Sequence, residues 1–115
     1  MNKPLAKRPR RFQISRKGEL TYDDHRFACL IQDMNTKGMF FFCSHHLATG
    51  QELEVSFDLA PGFDFSAKIK VRHFSGGRGG AELMEVYPRS RSNWNQFMEA
   101  NFYGQLMLPE RRIRL

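Results

Sequence analysis

Cysteine is nearly absent from this 115-residue sequence, and the two present, Cys29 and Cys43, are too few for a disulfide framework. Long apolar runs are missing too. No stretch behind the basic N-terminus is long enough for a signal peptide or a membrane span, so a soluble protein in a reducing compartment is expected, without membrane insertion. Acidic residues do not occur in the first eighteen positions, which carry Lys3, Lys7, Arg8, Arg10, Arg11, Arg16 and Lys17. The chain has 18 basic and 12 acidic side chains, so the rest of it is nearly neutral. A neutral body with a cationic head attracts phosphates, nucleic acid or anionic lipid. Residues 1–11 contain two prolines and no hydrophobic periodicity, which predicts a flexible basic segment ahead of the fold.

What the sequence does contain is enough for one packed core. Hydrophobic residues make up 41% of the chain and eleven are Phe, at a length typical of one domain, roughly 100 to 200 residues. "FQIS" at 12–15 is a short alternating segment, and "RFACLIQD" at 26–33 sets Phe27, Cys29 and Ile31 opposite Ala28 and Leu30. "DMNTKG" at 33–38 has turn chemistry: Asp33 and Asn35 hydrogen-bond nearby backbone, and Gly38 is expected to supply a positive φ. "MFFFC" at 39–43 is expected to be a strand buried on both faces. "ELEVSFDL" at 52–59 and "FDFSAKIKVRHF" at 63–74 alternate cleanly, and "SGGRGG" turns the latter into "AELMEV" at 81–86. Six short strands with Gly-rich turns predict a mainly β fold, a small antiparallel six-stranded barrel. After Pro88, Ser90 or Ser92 is expected to cap an amphipathic helix over about 90–103, with Trp94, Phe97, Met98, Asn101 and Phe102 as its stripe and Gly104 as its stop. The domain is thus placed at 12–104, followed by a basic tail at 105–115.

Chemistry is sparse along the body. His25, His45, His46 and His73 are scattered, no nucleophile stands in an elbow or helix-start context, and most carboxylates fall on outward strand positions, so no enzymatic role is expected. "CSHH" at 43–46 lacks a second ligand pair at metal-site spacing, which predicts no metal and no cofactor. "GGRGG" has no following helix start and is a hairpin loop rather than a phosphate cradle. What remains is the head, "KRPRRF" at 7–12, and the turn "IQDMNTKGMFFF" at 31–42.

Together these resemble the PilZ domains, bacterial receptors for cyclic di-GMP, whose hallmark is R-x-x-x-R before the first strand and D/N-x-S-x-x-G between two later strands. The resemblance runs from Lys7 to about Tyr103. It implies a split-barrel fold with a closing helix, a bacterial cytoplasmic protein, cyclic di-GMP as ligand and a downstream protein partner regulated by a change of surface on binding. Carried over residue by residue, it implies a ligand site of Lys7, Arg8, Arg10 and Arg11 with Asp33, Asn35 and Gly38. Arg16, Arg72 and His73 are weaker candidates. The first motif is spanned only by Lys7 and Arg11; Arg11 and Arg16 lie five apart, a spacing that a bulge accommodates. Position 35 carries Asn where the family has Ser. Guanidinium forks suit this ligand because they bind phosphate bidentately and hydrogen-bond the O6 and N7 edge of guanine. Each such bond contributes roughly 1.5 to 3 kcal/mol, against an ordering cost of about 1 to 2 kcal/mol per residue, so two or three contacts are the minimum. Two alternatives stay open: a PilZ-like interaction module that no longer binds the nucleotide, and a small barrel that binds nucleic acid nonspecifically through its head, the less expected of the two.

Overall fold

The strands follow from the alternation. In the computed structural model, which describes residues 11–100, β4 (Glu52–Ala60) buries Leu53, Val55, Phe57 and Leu59, and β5 (Phe63–Ser75) buries Phe65, Ala67, Ile69 and Val71. These face β1 (Phe12–Tyr22), β2 (His25–Met34), β3 (Gly38–Phe42) and β6 (Arg78–Val86) across one interior. The strands close into a barrel in the order β1-β2-β3-β6-β5-β4, all neighbours antiparallel. The expected six-stranded antiparallel barrel with a following helix is therefore the architecture found. Tight turns close two hairpins: Asp23 and Asp24 both have positive φ between β1 and β2, as do Gly76 and Gly77 between β5 and β6.

Two strand expectations need correction. β1 runs eleven residues, well past "FQIS", because Ser15 takes a positive φ of 49°. That residue sits in a bulge between Gln13 and Arg16, and beyond it pairing resumes on β2. The covered positions that follow the bulge are Arg16 and Gly18, neither of them apolar, so hydrophobic alternation lapses until Leu20 and the strand is hidden from a search for it. "MFFFC" is not buried on both faces. Met39, Phe41 and Cys43 point inward, while Phe40 and Phe42 are half-buried on the outer wall, their rings edge-on at 5.9 Å.

The helix α1 (Pro88–Met98) also starts earlier than expected, and no side chain caps it. Tyr87 is its N-cap and Pro88 its first residue, where a missing N–H costs nothing. Ser90 has another use. β6 ends at Val86 opposite Ala67, so the amide of Ser66 has no β6 partner; it donates instead to the buried Ser90 Oγ at 2.8 Å. Trp94, Phe97 and Met98 then cover one mouth of the barrel, with Trp94 edge-on to Phe12 at 6.4 Å and to Phe65 at 6.3 Å. The end of the predicted helix, its Gly104 stop, the basic tail at 105–115 and all of the head before Arg11 lie outside the described residues. Among the described residues, no helix is long and apolar enough to cross a membrane.

Candidate functional site

One side chain builds the turn between β2 and β3. Asn35 Oδ1 accepts from the amides of Lys37 at 2.8 Å and Gly38 at 3.0 Å, and the Asn35 N–H donates to the Gly38 carbonyl at 3.0 Å. This is the Asx geometry that Asn and Asp adopt at tight turns. Asn35 is 7% exposed, so its amide oxygen serves the backbone. Gly38 departs from expectation: its φ is not positive. Its side of β3 is crowded, and a Cβ there would stand 2.5 Å from the Ala81 carbonyl oxygen of β6. Glycine is needed for close approach, not for a left-handed backbone.

The register of β1 on β2 pairs Phe12 with Met34 and Gln13 with Asp33, which carries the chain just ahead of β1 to this corner. There Arg11 Nη1 donates to Asp33 Oδ1 at 2.5 Å, with Arg11 about half exposed and Asp33 largely covered. Asp33 thus holds Arg11 rather than nearby backbone. Four of the residues expected at a ligand site, Arg11, Asp33, Asn35 and Gly38, come together at one rim of the barrel.

Beside them lies an open groove of about 570 Å³, lined by Arg11, Lys37 and Gly38 and by Arg72, Glu82 and Leu83. Arg72 arrives through a second bulge. Val71 pairs with Ala81 and His73 with Gly80, which leaves Arg72 as the extra residue of β5. Its guanidinium meets Glu82 at 3.3 Å. Arg16 and His73 do not line the groove. Arg16 Nε donates to the Leu59 carbonyl at 2.9 Å, extending the β1–β4 seam, and His73 lies across Gly80 with its ring 6.3 Å from that of Phe40. Lys7, Arg8 and Arg10 are outside the described residues. Sequence reasoning overlooked Lys37 and Glu82. Lys37 stands inside the quoted turn motif and was findable, whereas Glu82 reaches the site through its pairing with Gly38, a register of β3 on β6 that leaves no sequence signal.

Two other spaces differ in character. A pocket of about 40 Å³ under the helix, walled by Met34, Phe65, Leu83 and Trp94, holds little more than water. A shallow apolar groove of about 670 Å³ runs outside β1, β2 and β3 past Cys29, Phe42 and Cys43. Burial pushes the Cys29 thiol up from the usual 9.0 to about 12, with the neighbouring Cys43 and Glu19 adding to the rise, so it is a protonated, inert group at neutral pH. Among the described residues, no three His, Cys, Asp or Glu side chains are grouped to hold a metal ion.

A closed six-stranded barrel with a helix on one mouth and an Arg–Asp corner beside an Asx turn defines a small β-barrel module. The PilZ domain model matches residues 5–99, and the chain belongs to that family. PilZ domains are ligand-binding and adaptor modules. Among solved structures, the chain is similar to the Bacillus subtilis inhibitor of motility, MotI/DgrA, with a TM-score of 0.66 and 12% sequence identity over 90% of this chain. It spans about half of that protein, 52%, and at this identity the likeness concerns the fold alone. No curated protein matches the chain.

Proposed function

We propose that this PilZ domain is a receptor for cyclic di-GMP, not an enzyme, which binds the nucleotide at the Arg11–Asp33 corner and in the groove beside it. One observation carries the reading: Arg11, held by Asp33, stands with Lys37 and Arg72 around an open groove of about 570 Å³. A cyclic dinucleotide is a dianion with two guanine edges, and such a cationic rim complements both features. Asp33 fixes the Arg11 guanidinium through one nitrogen and is itself an acceptor for a guanine N–H. Asn35 contributes by shaping the turn, since its oxygen is engaged with the Lys37 and Gly38 amides. Lys7, Arg8 and Arg10 precede Arg11 in sequence and add positive charge to that segment of the chain. Binding would draw this head onto the rim and change the surface offered to a protein partner, in keeping with a cytoplasmic signalling role. Calorimetric titration of the intact chain checks this: stoichiometric uptake of cyclic di-GMP is expected, with a severe loss in Arg11→Ala. No heat at high micromolar nucleotide overturns it.

A second reading has its own observation. With the Asn35 oxygen engaged by the turn and Arg11 already paired with Asp33, the corner is complete without a ligand. An interaction module that ignores the nucleotide fits that state, and its thermal midpoint would not respond to cyclic di-GMP.

A further inference from the structure

The part of the groove lining that β5 and β6 supply holds an arrangement that the family motifs do not include. Arg72 is the inserted residue of the β5 bulge, between a buried Val71 and the outward His73. A bulge of this kind re-aims the side chain it carries, here over the groove and toward β6. On β6, Ala81 faces the core, so the next residue, Glu82, faces outward; it is also paired with Gly38, at the end of the Asn35 turn. Glu82 therefore stands between the turn and Arg72. Among the described residues, it is the one acid lining the groove, whose other charged lining residues are the cations Arg11, Lys37 and Arg72. An acid in a site for a dianion opposes binding unless it does something else. Its carboxylate meets Arg72 at 3.3 Å between partly exposed side chains, a separation and exposure at which the pair is weak and exchangeable.

Building on the nucleotide-binding reading, we infer that Arg72 is a second anion contact of the groove, and that Glu82 restrains it in the unliganded protein. The dianion displaces the Glu82 carboxylate from Arg72 on entry, so that Arg11 and Arg72 both hold it. Glu82 then sets selectivity. A guest with little negative charge does not compete with a carboxylate for Arg72, whereas a cyclic dinucleotide phosphate does.

The test is a double-mutant cycle at Arg72 and Glu82, read by calorimetric titration with cyclic di-GMP, with Arg11→Ala as a parallel arm. Both side chains are largely exposed, so the variants should fold, and thermal midpoints near that of the wild type verify it. Arg72→Ala is expected to weaken binding about tenfold, the low end for a charge-assisted bond. Arg72→Lys should recover part of that loss. Glu82→Gln keeps the shape and removes the charge, and should tighten binding about threefold, of the order of a surface ion pair. In the Arg72→Ala background that gain should disappear. Unchanged binding in Arg72→Ala overturns the contact. An unchanged Glu82→Gln, or a gain that persists without Arg72, overturns the restraint. If the wild type binds and Arg11→Ala does not, these results count against the inference alone; if the wild type takes up no nucleotide, the receptor reading and the inference fall together.

Discussion

Gly38 shows how much a single position can carry at this site. It pairs with Glu82 across β3 and β6 at a separation that leaves no room for a Cβ against the Ala81 carbonyl. Gly38→Ala must push the strands apart or twist the Asn35 turn, and overpacking of this kind costs about 1 to 3 kcal/mol. Chemical denaturation should show that loss, and a variant as stable as the wild type would contradict the crowding. In sequence Gly38 was legible as a turn residue, but for a reason that the structure corrects, since a positive φ and a close approach both demand glycine. Asn35 has a similar history. Its place in a D-x-N-x-x-G string marked the turn, yet whether its oxygen serves a guest or the backbone depends on where the Lys37 and Gly38 amides point. Arg11 and Asp33, 22 residues apart in sequence, meet only because β1 and β2 pair in one register.

At the scale of elements, the start of β1 links the candidate site to the helix. Arg11 holds Asp33, its neighbour Phe12 is buried, and Phe12 lies edge-on to Trp94 of α1. Trp94 is the only tryptophan of the chain, so its emission reports on this junction alone. If nucleotide binding pulls on Arg11, Phe12 moves against the indole, and a fluorescence titration should show a saturable change that is absent in Arg11→Ala. Calorimetric binding with unaltered Trp94 emission would show that β1 stays still. The strands with strict alternation, β4 and β5, could be read from sequence almost residue by residue because their inward face has a period of two. The bulges at Ser15 and Arg72 could not. Ser15 and Arg72 are ordinary residues, and only the partner strand makes them extra. The helix start was obscured in the same way, because Ser90 satisfies the Ser66 amide left over where β6 ends, a demand set by β5 and β6 rather than by α1.

The whole molecule separates scaffold from chemistry. A closed barrel has no free sheet edge and a core supplied by every strand, so exposed rim side chains such as Arg11 and Arg72 can carry chemistry that the core does not depend on. Positive charge is concentrated in the first eighteen residues, and the first described residue of that segment, Arg11, sits on the rim beside the groove. The barrel was legible because it rests on periodicity repeated over six strands; the groove was less so, because it rests on which rim residues meet across them. The most direct measurement of the central claim is an amide NMR titration of the intact chain with cyclic di-GMP beside a linear dinucleotide control. The account predicts that cyclic di-GMP shifts concentrate on Arg11, Asp33, Asn35 and Gly38 and on the Arg72 bulge, with the linear control weaker throughout. Shifts confined to the outer face of β2 and β3, or none at saturating nucleotide, would contradict it.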